Sequence, residues 1–169
     1  VSAVWAIVPR ISSFLEQLRS IHIPIIHVKT LHSGWTTSKT WASRYAGSAE
    51  KTPKICVPDT WGSEFIDQLK PKQGEAVVVK HRYSAFINTD LDLILRSREI
   101  RSLLLAGNAT NVCVYSTTIH GFMLDYHTVV VRDCVATTDQ DLQEPFLKNI
   151  DSYYGATALS EEVLFALRQ

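Results

Sequence analysis

The sequence lacks a long hydrophobic run, an excess of charge of either sign and a dense set of cysteines. No apolar run approaches the roughly 18 residues that a membrane-spanning helix needs. The N-terminus has no basic region followed by an apolar core and a small-residue cleavage site, so it is not typical of a signal peptide. The 17 basic residues balance 17 acidic ones, which argues against nucleic acid as a partner, because phosphate binding requires a clustered positive field.

Cysteine is sparse and odd in number. Cys56, Cys113 and Cys134 form no C-x-x-C pair, and so small a set indicates a reducing compartment, from which we predict a cytoplasmic protein. The 169 residues suit one domain, and 46% hydrophobic with 20% charged residues is close to the globular average. We therefore expect residues 1–169 to form a single globular domain.

Short apolar runs alternate with amphipathic segments along the chain. We predict strands at 21–30, 75–80, 102–106 and 127–133. Helices are predicted within 3–20, beginning near Pro9, and at 63–69, 91–97, 111–125, 139–150 and 160–167, the last with Ser160 as N-cap. Residues 31–59 have no clear period and are expected to be partly irregular, as many functional loops are. This alternation predicts an α/β fold with a parallel sheet covered on both faces.

Ligands of such sheets bind at the carboxyl ends of the strands, where this chain has Lys80, residues 107–113 and Asp133. Cys113 opens a predicted helix, and the unpaired N–H groups there favour a thiolate and can stabilise an oxyanion. The alternative is an inert, buried thiol. Lys80 is either a surface residue or an ammonium beside Cys113 that stabilises its thiolate.

Three segments together resemble the isochorismatase-like cysteine hydrolases. They are K-H-R-Y-S-A-F-I-N-T-D-L-D-L-I-L-R from Lys80, L-L-L-A-G-N-A-T-N-V-C-V from Leu103 and V-V-V-R-D-C from Val129. The resemblance runs from about residue 7 to the C-terminus and includes the separation of 33 residues between Lys80 and Cys113. The blocks R-Y-S-A-F-x-N-T-x-L-D and A-T-N-V-C-V-x-S-T look most like the ureidoacrylate amidohydrolase branch, with biuret hydrolase and N-carbamoylsarcosine amidase as close relatives.

This resemblance implies a Rossmann-like three-layer α/β/α sandwich, a homo-oligomer, a small-molecule substrate, no cofactor and a Cys–Lys–Asp triad. Cys113 matches the nucleophile, which attacks an amide or ureide carbonyl to form a thioester, and Lys80 matches the triad lysine. A cis peptide bond is implied between Asn108 and Ala109. The backbone N–H groups of Ala109 and Cys113 would then form the oxyanion hole.

The triad Asp has no counterpart in this sequence. In the resembled family it ends a central first strand, and no such strand precedes the first helix here. We therefore expect an upstream strand ending in Asp, or a sheet that is rearranged or completed by another chain. Without that strand, two strand edges remain unpaired. Asp59 and Asp133 are the geometric substitutes to test, although each could be a solvated or capping carboxylate. The alternative function is a catalytically silent binding or assembly module.

Further residues carry weaker predictions. Substrate-pocket candidates are Tyr83, Phe86, Asn88, Asn111 and Trp35. Asn111 could equally cap a helix, and Trp35, Trp41 and Trp61 could equally pack the long loop.

We predict no metal site. His22, His27 and His32 lie near the strand predicted at 21–30, but the first two are five residues apart and so lie on opposite faces of a strand. The Asp-x-His metal motif of some resembled enzymes is also absent. Cys134 is expected to be buried and inert, and a redox function is disfavoured because no resolving cysteine is near Cys113 in sequence.

Overall fold

A computed structural model describes residues 2–43 and 55–169. Across these residues five strands alternate with helices. The strands are β1 (Ile26–Thr30), β2 (Ala76–Lys80), β3 (Ser102–Asn108), β4 (His127–Ala136) and β5 (Ala156–Ala158). The α-helices are α1 (Ser2–Ala6), α2 (Val8–Ser20), α3 (Lys39–Ser43), α4 (Leu91–Ser97), α5 (Tyr115–Met123), α6 (Gln143–Tyr153) and α7 (Ser160–Leu167). No helix in the described ranges is long and apolar enough to cross a membrane.

Every strand pair is parallel, which confirms the predicted α/β class. β1 pairs with β2, and Thr30 lies opposite Lys80. β3, β4 and β5 form a separate three-stranded sheet in that order. In the described part of the chain, β1, β2, β3 and β5 each pair with one strand and have one free edge. Two separate sheets thus have four outer edges, two more than one continuous sheet, which is the number of additional edges that the sequence predicts.

Helices cover both faces of the larger sheet. Successive residues of a strand point to opposite faces, so the contacts of two neighbouring residues in β4 show which helices lie on each face. Val130 of β4 is fully buried against Leu147 and Ile150 of α6. Its neighbour Val131 is fully buried in a second cluster, with Phe14 of α2 and residues of α7. The result is three layers, with α2 and α7 on one face and α6 on the other.

A bulge in the β3–β4 pairing carries β3 beyond its predicted end. Leu105 lies opposite Val130, but Gly107 lies opposite Val135. Gly107 has φ +123°, which glycine adopts readily because it has no Cβ. The strand continues to Asn108 and delivers the following turn to the carboxyl edge of the sheet.

The strand predicted at 21–30 begins only at Ile26. His22 has φ +60°, and the N–H of Ile23 donates to Leu18 O, so the chain closes the end of α2 before it extends. Pro24 follows and has no N–H for a sheet bond. The predicted strand was therefore too long at its start.

Two further predictions were wrong in detail. Residues 63–69 form no α-helix: one short 3₁₀ turn, Trp61–Ser63, ends where the helix was predicted to begin, and a second, Asp67–Leu69, lies at its predicted end. Ser160 is the first residue of α7 and not its N-cap, which is Leu159. β5 was not predicted, because three residues are too few to show a period.

Glu75, which lies just before β2, connects α2 to β1 through its carboxylate. Its carboxylate accepts from Arg19 Nε at 2.6 Å and Nη2 at 2.8 Å, and lies 2.7 Å from His27 Nε2. The Lys72 N–H also donates to it at 2.7 Å. The Arg19 guanidinium is the main cause that lowers the pKa of Glu75 from 4.5 to about 2, against the opposing effect of burial.

Candidate active site

Lys80 and Cys113 meet at the carboxyl edge of the strands. Lys80 is the last residue of β2 and is 5% exposed. Its Nζ donates to Cys113 Sγ at 3.3 Å and to Arg82 O at 2.8 Å. A buried ammonium needs such partners, and a positive charge this close to sulfur stabilises a thiolate electrostatically. The pair thus supplies a nucleophile held beside a fixed positive charge.

Cys113 lies in a π-helical turn, Thr110–Val114, and not in the regular helix predicted for 111–125. The Asn108–Ala109 peptide is cis, and Ala109 O accepts from the N–H groups of both Val112 and Val114 at 3.1 Å. The second of these bonds spans five residues and widens the turn. Turns of this kind are frequent at functional sites. α5 begins two residues after Cys113, so the thiol still lies at the start of the helix.

Thr117 of α5 fixes the backbone on both sides of the pair. Its Oγ1 donates to Cys113 O at 2.7 Å and accepts from the Ala85 N–H at 3.0 Å. Ser84 Oγ also lies 3.0 Å from His120 Nδ1, one turn further along α5. The segment after Lys80 is therefore bound to the helix that follows Cys113.

The segment after β1 forms the other side of the site. The Leu31 N–H donates to Lys80 O at 3.0 Å, and His81 Nδ1 donates to Leu31 O at 2.8 Å. Arg82 Nη1 donates to Thr36 O at 3.0 Å, while the guanidinium carbon lies 4.9 Å from the centre of the Trp41 ring. Sequence reasoning did not assign His81 and Arg82, although both lie in the block that follows Lys80.

The aromatic candidates separate into two groups. Tyr83 is partly exposed, and its ring centre lies 4.8 Å from that of Trp41, which also contacts His32 at 5.5 Å. Trp35 and Trp61 are 100% and 82% exposed, so neither packs the loop and neither lines an enclosed site. Only Trp41 among these tryptophans packs beside the segment that follows Lys80.

Phe86, predicted to line the pocket, is a core residue. It is buried, its ring centre lies 5.7 Å from that of Tyr126, and it packs in the cluster of Val78, Leu91 and Leu95. The hydrogen bonds that hold the preceding turn against α5 direct this ring inward, and the sequence does not reveal them.

The two asparagine candidates lie apart. The Asn88 side chain is exposed, and its backbone has φ +53°. Asn88 borders a shallow cavity along β2, beside Val77 and Ile94. Asn111 lies within the π-helical turn, and its Oδ1 accepts from Thr137 Oγ1 at 2.7 Å. Asn111 therefore connects the turn that holds Cys113 to the end of β4, and it is not a helix cap.

Neither carboxylate proposed as a substitute base reaches the pair. Asp133 accepts from Ser160 N at 2.8 Å and Ser160 Oγ at 2.7 Å, so it caps α7. The Asp59 side chain is exposed to solvent, and its backbone has φ +61°. Within residues 2–43 and 55–169, the Lys80 ammonium donates to no carboxylate. The third member of the implied triad is therefore not among the described residues that touch Lys80.

The other titratable clusters serve the fold. In the described ranges, no group of three or more His, Cys, Asp or Glu side chains could hold a metal ion. His27 is bonded to Glu75, and His22 lies in the turn after α2. Cys134 is fully buried, and burial raises the pKa of its thiol to about 12, which is the condition of an unreactive thiol.

Comparisons with known proteins agree with this geometry. The isochorismatase domain matches residues 2–162. Ureidoacrylate amidohydrolase RutB from Pseudomonas savastanoi pv. phaseolicola is 34% identical over 167 residues, which cover 92% of this chain and 68% of the relative. An isochorismatase family protein from Desulfovibrio vulgaris superposes with a TM-score of 0.87 at 28% identity, covering 100% of this chain and 88% of the other. N-carbamoylsarcosine amidase from Thermoplasma acidophilum has the same fold, with a TM-score of 0.81 at 24% identity, covering 95% and 86%.

The domain match covers nearly the whole chain, and the parallel strands, the π-helical turn and the lysine–cysteine pair occur within it. We conclude that this chain belongs to the isochorismatase family of hydrolases.

Proposed function

We propose that this protein is a cysteine amidohydrolase that cleaves a C–N bond of a small ureide, carbamoyl compound or linear amide. The observation that carries the proposal is the 3.3 Å contact between Lys80 Nζ and Cys113 Sγ at the carboxyl edge of the strands. A thiolate beside a buried ammonium is suited to attack a carbonyl carbon. The relative named ureidoacrylate amidohydrolase supports this substrate class.

The proposed reaction proceeds in two stages. Cys113 Sγ attacks the carbonyl carbon, the C–N bond breaks, and the nitrogen leaves as ammonia or an amine after it accepts a proton. Water then hydrolyses the resulting thioester and regenerates the thiol. The backbone N–H groups of Ala109 and Cys113 are proposed to stabilise the oxyanion of both tetrahedral intermediates. Lys80 keeps the sulfur in place, and its positive charge stabilises the negative charge that develops beside it.

The reaction needs a group that takes the thiol proton and returns it to the leaving nitrogen. We infer that this group is a carboxylate on a further strand that pairs with one outer edge of each sheet, because the described strands form two separate parallel sheets whose outer edges have no partner. The competing function is a catalytically silent family member, which the lack of a carboxylate on Lys80 among the described residues favours.

Ammonia release from ureidoacrylate, biuret and N-carbamoyl amino acids tests the proposal. We expect turnover of at least one of these compounds by the wild-type protein and a loss of about 10³-fold or more in Cys113→Ser, because an unactivated hydroxyl replaces the thiolate. Cys134→Ala is the matched control and should retain activity, because it removes a fully buried thiol that packs in the core with Phe14 and Val131. Equal inactivity of wild type and Cys113→Ser across the panel would support the silent module instead.

Lys80→Met tests the role of the ammonium. It removes the charge and keeps much of the side-chain volume, so we expect kcat to fall by about 10² to 10⁴-fold with the fold intact. Mass spectrometry of the protein mixed with substrate and quenched early should detect the acyl adduct on Cys113 in wild type and not in Cys113→Ser. An adduct on any other residue would contradict the assignment of the nucleophile.

The remaining predictions about assembly and partners stay proposals. We propose a homo-oligomer that acts on a small molecule without a cofactor, and light scattering of the purified protein measures the assembly directly. A monomer with full activity would overturn the oligomer prediction and leave the proposed chemistry unaffected.

A further inference from the structure

A side-chain hydrogen bond joins the turn that holds Cys113 to the segment after β4. Thr137 Oγ1 donates to Asn111 Oδ1 at 2.7 Å. Asn111 is the middle residue of the five from Ala109 to Cys113, so the bond holds the turn halfway between the two N–H groups proposed to form the oxyanion hole. The bond is therefore placed to control the spacing of those two groups.

This bond continues the connection between β3 and β4 beyond the end of the sheet. The last pair of the two strands is Asn108 opposite Ala136. Thr137 is the next residue after that pair on one side, and the π-helical turn Thr110–Val114 follows on the other. Backbone bonds between strands no longer fix the separation of these two segments, so the side-chain bond takes over that function.

Thr137 is itself fixed in position. It is fully buried, its carbonyl accepts from Gln140 Nε2 at 2.7 Å, and its hydroxyl oxygen accepts from the Asp139 N–H at 3.4 Å. An amide oxygen can only accept, so the hydroxyl hydrogen of Thr137 points to Asn111. The hydroxyl therefore donates and accepts at once, and a valine of nearly the same shape can do neither.

We propose that Thr137 is a positioning residue that, through Asn111, fixes the two backbone N–H groups of the oxyanion hole. The inference rests on the proposed function, because acyl transfer is the reaction that generates an oxyanion at these groups. Such donors are effective when they are held at about 2.7–3.1 Å from the oxyanion. The contact between Lys80 and Cys113 does not include Thr137. Loss of the Thr137 hydroxyl should therefore slow acylation of the thiolate without changing the thiolate itself.

Two reagents separate these effects, and mass spectrometry of the Cys113 peptide measures both reactions. p-Nitrophenyl acetate acylates a thiolate through a tetrahedral oxyanion, and its leaving group needs no proton, so its rate reports the oxyanion hole without the natural substrate. Iodoacetamide alkylates the same thiolate by displacing iodide and forms no oxyanion, so its rate and pH profile report the thiolate alone. In Thr137→Val we expect acylation to slow about ten-fold and alkylation to change less than about two-fold.

Three further variants make the assignment specific. Thr137→Ser keeps the hydroxyl and should acylate within about two-fold of wild type. Asn111→Ala removes the acceptor, and the double variant with Thr137→Val should acylate about as fast as the slower single variant, because both changes break the same bond. Thr128→Val is the matched control and should acylate like wild type. It also removes a buried hydroxyl bond of β4, from Thr128 Oγ1 to Tyr154 O at 2.6 Å, but at the opposite end of the strand.

The outcomes distinguish this inference from the hydrolase proposal. Equal acylation of wild type and Thr137→Val, an equal fall in acylation and alkylation, or additive losses in the double variant would each overturn the positioning role. A wild type in which Cys113 is alkylated but never acylated would refute the oxyanion hole itself, and with it both proposals. If Thr137→Val does not fold, the same two rates in Asn111→Ala decide the matter, because that variant breaks the bond from the other side.

Discussion

Glu75→Gln is the substitution for which the structure gives the clearest magnitude. It keeps the size of the side chain but removes the charge that Arg19, His27 and the Lys72 N–H surround. The Glu75 side chain is 12% exposed, so water replaces little of the lost interaction. We expect the variant to fold and to be less stable, because α2 loses its charged contact with the end of β2.

The expected loss follows from the pKa. A fall from 4.5 to about 2 corresponds to about 3 kcal/mol of stability at neutral pH, with each pKa unit contributing about 1.4 kcal/mol. The Gln oxygen still accepts one neutral hydrogen bond, which retains about 1 kcal/mol. The free energy of unfolding should therefore fall by about 2 kcal/mol, and the Tm by about 4–8 °C for a chain of this length.

The pH dependence gives a second measurement. The folded pKa of Glu75 lies below its unfolded value, so the stabilisation is complete above about pH 4.5 and is lost as the pH falls towards about 2. Urea denaturation of wild type and Glu75→Gln between pH 7 and pH 3 should show the difference in free energy shrinking to less than half at pH 3.

Glu16→Gln is the matched control, since Glu16 also bonds Arg19 but is exposed to solvent. We expect little change in its stability, because exposed ion pairs contribute little. If Glu75→Gln is as stable as Glu16→Gln, or if its deficit persists unchanged at pH 3, the reasoning about the Glu75 carboxylate is refuted.

Three further substitutions test the packing of the domain and the residues around the site. Gly155→Ala should destabilise the protein by about 1–3 kcal/mol in thermal melts, because a Cβ there would lie 2.3 Å from a backbone oxygen, whereas Gly34→Ala has open space and should be neutral. Thr117→Val should lower kcat about ten-fold with little change in KM, since the hydroxyl that holds the Cys113 backbone is lost, and an unchanged kcat would refute this positioning role. Asp133→Asn should cost about 1–2 kcal/mol by urea denaturation as the α7 cap weakens, with kcat preserved; a collapse of kcat would identify Asp133 as the base.

Local sequence signals predicted the regular elements well where they were self-contained. The helices Leu91–Ser97 and Ser160–Leu167 have the predicted bounds, and α2 begins at Val8 with Pro9 in its first turn. The strand predicted at 21–30 failed at its start, because the backbone bonds that close α2 use residues that the apolar pattern assigned to the strand. The predicted helix at 111–125 likewise begins with a π-helical turn. Periodicity reports which face is apolar and not which carbonyl each N–H meets.

The sequence predicted which residue types meet in the site. A lysine and a cysteine at the carboxyl ends of parallel strands indicated a paired nucleophile, and the two side chains are in contact. The pocket was less predictable. Phe86 turned into the core and Trp35 is fully exposed, because burial depends on the turn that α5 holds in place and on the segment after β1.

The sequence by itself determined the family, the parallel α/β class and the identity of the Lys80–Cys113 pair, because these depend on residue types, their order and the apolar pattern of the strands. Only the tertiary structure decided that Asp133 caps a helix and that the described strands form two separate parallel sheets. Each of these depends on contacts between segments far apart in the chain. Such contacts are set by packing and hydrogen bonds across the whole domain, which no local pattern encodes.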